Sequence, residues 1–173
     1  LIQYGPTSQF DGNVTTASPR LLFNGCTFNG IVNCAKNGAT NDASAGSNIF
    51  NAASSFTNSG SGYLLFGNGN IDQFNSTSSF NNTGSNHIYV AYNGTGNVFG
   101  GAVTLNNSPS ATNAWIYFGS YGVGNSIING NLILTNNNGA GISFGSNTGT
   151  STLSAGNSIS IGAGGFNSGQ LIF

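Results

Sequence analysis

One histidine, three aspartates, one lysine, one arginine and two cysteines carry all the acid–base, ligating and nucleophilic chemistry this chain offers beyond hydroxyls and amides. His87 opens the segment HIYVAY. A general acid or base needs a nucleophile or carboxylate within hydrogen-bond reach, and the spacing gives His87 none. Asp11, Asp42 and Asp72 are spread along the chain, whereas paired carboxylates for glycoside cleavage must converge within about 10 Å. A zinc site needs four ligands, which two cysteines and one distant histidine do not supply. The stretch GAGGFNSG, residues 162 to 169, has the glycine content of a calcium-binding repeat but lacks the aspartate that ligates the ion. Catalytic residues, a metal and a cofactor are therefore not expected. Cys26 and Cys34 flank Phe28 and the turn-forming pair Asn29-Gly30, so a bend could close them into a disulfide, the usual state of a cysteine pair in a secreted protein. Two reduced thiols in the core are the alternative, since a small hydrophobe suits the place of Cys34.

The elements that would position these residues follow from composition. Only 3% of the chain is charged, against about 25% in an ordinary soluble domain. Asn (29) and Gly (28) together make up a third of the 173 residues. Such tracts usually favour disorder, but 13 Phe, 6 Tyr and one Trp, spaced along the chain, give it something to bury. The longest apolar runs are about four residues, far short of the roughly 20 needed to cross a bilayer. No transmembrane segment or signal peptide is expected, and the scarcity of Lys and Arg argues against nucleic acid as a partner.

A repeat sets the register. Large apolar residues recur as pairs six positions apart: Phe50 and Phe56, Phe74 and Phe80, Phe99 and Leu105, with Phe28 and Cys34 upstream, and Ile128 and Leu134, and Leu153 and Ile159, downstream. Phe10 begins a shorter first copy, and successive first anchors are separated by 18, 22, 24, 25, 29 and 25 residues. Two positions after each anchor the residue is always small: Gly12, Gly30, Ala52, Ser76, Gly101, Gly130 and Ala155. One position after it Asn recurs as Asn29, Asn51, Asn75 and Asn129. A second apolar strand precedes most anchors, as in RLLFNG, YLLFG, HIYVAY and WIYFG, but the copy anchored at Phe50 has ATNDASAGS instead.

The spacing of two within each copy is a strand period, and a repeat of about 20 to 30 residues with two or three short strands is the signature of a solenoid. The expected fold is all-β: a single module over residues 1 to 173 forming a parallel β-solenoid of six or seven coils, right-handed as parallel crossovers are. Phe28, Phe50, Phe74, Phe99, Ile128 and Leu153 then stack inside, and Asn29, Asn51, Asn75 and Asn129 form a ladder of amides at the bends, one strand spacing apart. His87 shares its slot with Tyr63 and Trp115, which reads as a ring in an aromatic stack at a coil corner. A β-sandwich also has short, regularly spaced strands, but it gives no reason for the same small residue at one slot seven times.

Copies of the form Y/I-L-x-F-G, a gap, then N-x-F-x-G-x-V-x-L-x-N resemble the Gly-, Asn- and Thr-rich β-solenoid repeats of large secreted surface proteins of Bacteroidetes and, more loosely, haemagglutinin-type bacterial adhesins. The resemblance covers nearly the whole chain, is periodic and compositional, and departs from the pattern in its ragged coil lengths and its cysteine pair. It implies an extracellular, cell-surface or filament-forming role, often adhesive, within a longer polypeptide.

The expected function is thus a non-catalytic structural or adhesive segment. A carbohydrate-binding module is the alternative, with Tyr92, Trp115 and Tyr121 as candidate contacts and surface glycans as ligands. An ice-binding surface would need threonines at one outward slot, and here they are scattered. The chain opens on LIQYG and closes on LIF, copies of one strand, so either neighbouring repeats of the same polypeptide or identical subunits stacked end to end are the expected partners.

Overall fold

A computed structural model describes residues 1 to 119, 124 to 145 and 148 to 173. The described chain is all-β, a parallel β-solenoid of about six turns, in which every strand pairs with its counterpart one coil away. Three walls run along it. The first stacks seven strands, from Gln9–Phe10 to Ser151–Leu153, and the second stacks seven, from Val14–Ser18 to Ile159–Phe166. The third stacks five, from Leu64–Leu65 to Gln170–Ile172, and Ile2–Tyr4 pairs with Leu21–Phe23 in the first coils.

The apolar anchors fill the interior because in-register parallel pairing gives equivalent residues the same surroundings. On the first wall Phe10 pairs with Phe28, Phe28 with Phe50, Phe50 with Phe74, Phe74 with Phe99, Phe99 with Ile128 and Ile128 with Leu153. The rings of Phe28, Phe50, Phe74 and Phe99 lie nearly parallel, with successive centroids 5.0, 4.8 and 4.8 Å apart. Phe56 and Phe80 stack opposite them at 5.6 Å. Burying each such ring contributes about 1.5–3 kcal/mol, and stacking adds about 0.5–1.5 kcal/mol per pair. Leu153, in the last coil, is only half-buried.

Two departures from the expected register have local causes. Ile159 pairs with Leu132, and it is Ile161 that meets Leu134. The bend after Leu153 is two residues longer than its counterparts, turning through Gly156 at φ 86°, so the anchor pair of the last coil is eight residues apart. The stretch ATNDASAGS makes no strand, yet the wall does not break there. Side-chain oxygens stand in for the missing ladder: Asp42 Oδ1 accepts the Leu21 N–H at 3.2 Å, Ser44 Oγ that of Phe23 at 3.1 Å, and Asn41 Oδ1 that of Tyr63 at 3.0 Å.

Candidate functional site

Polar side chains fall into three ladders, and only one of them lies outside. On the outer bend Asn29 Nδ2 donates to Asp11, Asn51 Nδ2 to Asn29 and Asn75 Nδ2 to Asn51, each at 2.7 Å. Gly100 has no side chain to continue it, and the ladder resumes where Ser154 Oγ donates to Asn129 Oδ1 at 2.6 Å. Asp11 itself is held below the usual carboxylate range by hydrogen bonds from Gln9 and Asn29.

The other two ladders are buried at the corners of the coil. Two residues before the anchor, Asp72 Oδ1 accepts both the backbone N–H and Nδ2 of Asn48, at 2.8 and 2.7 Å, and Asn97 Oδ1 accepts the Asp72 N–H at 2.7 Å. Burial pushes the Asp72 carboxyl up to about 6, against these bonds. Eight residues after the anchor stand Lys36, Asn58, Asn82, Asn107 and Asn136, all fully buried. Asn82 Nδ2 donates to Asn107 at 3.0 Å and Asn107 Nδ2 to Asn136 at 2.7 Å. These slots repeat in the sequence as regularly as the outer one, but Asn reads as a turn residue and its inward orientation was not anticipated. Asn is suited to the place: it offers both a donor and an acceptor, so one residue per coil satisfies its neighbours and the bending backbone without burying charge.

The one concentration of large side chains facing outward is on the third wall. Tyr63, His87 and Trp115 share one slot, and Tyr89 and Tyr117 share the next outward slot. Tyr89 stacks on Tyr117 at 5.3 Å and Trp115 on Tyr117 at 5.5 Å, while Tyr63 and Tyr92 each meet Tyr89 edge-on, at 5.3 and 5.2 Å. All are half-buried, so each keeps a face or an edge in solvent. The next residue in the Trp115 slot is Gly141, where a Cβ would sit 2.6 Å from the indole. Its absence lets the Trp115 ring lie over the following coil. Tyr121, the third expected contact, lies outside the described residues.

His87 sits within this cluster, edge-on to Tyr89 and Tyr117 at 5.6 and 5.3 Å. Its Nδ1 accepts the Trp115 N–H at 3.0 Å, so the ring takes the place of a ladder carbonyl and is neutral. Burial lowers its pKa accordingly. Asp42 and Asp72 are buried inside the coil and Asp11 is exposed on the first coil, so the carboxylates do not converge. Among the described residues no three of His, Cys, Asp and Glu are grouped so as to hold a metal ion.

The expected disulfide is corrected. Cys26 and Cys34 are buried free thiols. Cys26 enters the interior just before the bend and donates to the Gly5 carbonyl at 3.1 Å, whereas Cys34 enters from the second wall and accepts from Thr16 at 3.3 Å. The bend at Asn29-Gly30 sends them to different walls, with Phe28 and Val32 also turned inward between them. Burial pushes both thiols up.

Comparison of the chain with known protein families, with curated proteins and with solved structures gives no match. No helix among the described residues is long and apolar enough to cross a membrane.

Proposed function

We propose that the chain is a non-catalytic structural and adhesive segment of a bacterial extracellular surface protein or filament, with further coils of the same polypeptide or further copies as its neighbours. The observation that supports this reading best is the continuity of the amide ladders. Side chains as well as backbone join each coil to the next, through groups that carry no charge and take part in no visible reaction centre. Such a rod transmits load along its axis and presents long, nearly neutral walls.

A second reading is favoured by the aromatic cluster. Flat rings half-exposed in register, Trp115, Tyr117 and Tyr89 above all, make a stacking platform for the apolar faces of sugar rings. The adhesive surface of the rod would then be its third wall, with surface glycans as partners.

Both readings are tested by passing the purified chain over an array of bacterial and host polysaccharides and measuring retention and turnover together. Retention without cleavage, lost in Trp115→Ala and Tyr89→Ala but kept in Asn75→Leu, is the expected result. Reproducible hydrolysis abolished by changing His87 or Asp72 overturns the non-catalytic reading, and no retention on any glycan overturns the second.

A further inference from the structure

Lys36 breaks the pattern of its corner. Its slot holds Ser18 in the preceding coil and Asn58, Asn82, Asn107 and Asn136 in the following ones. Lys36 is fully buried, its neighbour Asn58 is fully buried, and Asp42 is 1% exposed. A buried ammonium needs several partners to offset its desolvation. Among the described residues Lys36 makes one hydrogen bond, from Nζ to the Gly38 carbonyl at 2.7 Å.

That bond brings Nζ to the Asn58 carboxamide. The Gly38 carbonyl also accepts the Gly62 N–H at 3.1 Å, and the Gly62 carbonyl accepts Asn58 Nδ2 at 3.1 Å. One glycine therefore separates the two groups. Their Cα atoms are register partners in the parallel ladder, about 4.8 Å apart. Asp42 closes the corner: its N–H bonds the carbonyl of Tyr63, the residue after Gly62, at 3.1 Å, and its Oδ2 is buried without a hydrogen-bond partner. An amine, a primary amide and an acid thus share one dry corner.

We propose that this corner forms an intramolecular isopeptide cross-link, an amide between Lys36 Nζ and Asn58 Cγ that joins two successive coils covalently and releases ammonia. The lone pair of the neutral amine attacks Cγ, and the carbonyl electrons move to Oδ1. When they return, the Cγ–Nδ2 bond breaks. Nζ loses one proton and Nδ2 gains one, with the Asp42 carboxyl carrying it between them, so ammonia leaves. Amine and amide give a secondary amide and ammonia, with no oxidant, cofactor or net charge change. Burial favours the reactive protonation states: it lowers the pKa of Lys36 and raises that of Asp42 to about 7. Dry surroundings also exclude the water that would hydrolyse the intermediate. The link gives the rod a covalent tie between coils that its unpaired cysteines do not supply.

The test is the intact mass of the purified full chain under denaturing conditions, followed by peptide mapping. The expected mass is lower than that of the sequence by one ammonia, with a branched peptide joining the segments that carry Lys36 and Asn58. Lys36→Arg and Asp42→Asn should give unshifted masses and linear peptides. A wild-type mass equal to that of the sequence overturns the proposal whether or not any variant folds. So does ammonia loss without a branched peptide, which would mark cyclisation at an asparagine, and so does loss of water with a branch between Lys36 and Asp42. Glycan retention does not depend on the link, so its absence leaves the adhesive reading standing.

Discussion

Asn107 and Asn75 are the same residue type in ladders of the same spacing, and the structure sets them far apart in energy. Asn107 is fully buried; its Nδ2 serves Asn136 Oδ1 and the carbonyls of Ala114 and Gly141, and its Oδ1 accepts from Asn82. Asn107→Leu orphans several buried groups, each at about 1–3 kcal/mol, so a loss of about 3 kcal/mol or more is expected in urea unfolding. Asn75 is exposed and water can replace its bond, so Asn75→Leu should cost less than about 1 kcal/mol. Equal costs would mean that the inner ladder contributes no more than a solvated one. The charged residues inside the coil add a pH dependence of definite sign. Burial raises Asp42 from 3.8 to about 7. Folding favours its protonated form, so that stability is present at low pH and lost as pH rises through about 7. Between about pH 6 and pH 8 the loss should be about 1 kcal/mol, and Asp42→Asn should abolish it. His87 has the opposite sign: its lowered pKa favours the neutral ring in the fold, so stability falls as pH drops below about 6.5 and the Trp115 bond is lost. Thermal melts across this range that show no alkaline loss in the wild type would remove Asp42 from the account.

At the scale of the coil, one sequence slot has two different environments. The small residue after each anchor lies at the bend, but a Cβ on Gly130 would meet backbone atoms of Gly101 at 2.2 and 2.3 Å, while one on Gly12 would meet nothing within 4 Å. Gly130→Ala must push two coils apart and should destabilise by about 1–3 kcal/mol, as overpacking does. Gly12→Ala should be near neutral, and equal effects in thermal unfolding would show that the bends can relax. The slot itself was legible, as was the anchor register from Phe10 to Leu153, because in-register stacking imposes the same environment on every coil and so writes a period into the sequence. What escaped the reading is what periodicity does not encode. The added residues in the bend after Leu153 shift Ile159 and Ile161 without disturbing composition. Asp42, Ser44 and Asn41 replace a strand with side-chain acceptors, which a scan for apolar runs registers only as a gap. The inward turn of Asn58, Asn82, Asn107 and Asn136 was hidden because an amide at a bend suits solvent and interior alike. The cysteines were misjudged for a related reason: a turn shortens the path between two residues but also decides which wall each one occupies.

For the whole molecule, the consequence of these placements is a surface almost without charge. Of the five charged residues, Lys36, Asp42 and Asp72 are buried, Arg20 is half-buried and Asp11 is exposed. Repulsion between copies is therefore weak. The last coil presents apolar side chains at its open edge, with Ile161 51% and Phe173 72% exposed beside Ile159 and Ile172. Parallel strand edges of this kind pair readily with another coil. Association of the isolated chain should accordingly rise with concentration and persist at about 1 M salt, where the screening length falls to about 3 Å and ion-paired contacts would weaken. Sedimentation velocity at low and high salt checks this. Introducing charge at the edge, Ile161→Lys together with Ile172→Lys, should reduce the assembly and restore salt sensitivity, since the copies would then repel through groups that salt can screen. Dissociation of the wild-type assembly by salt, or a monomer at every concentration, would show that the neutral walls and open edge do not drive contact between copies.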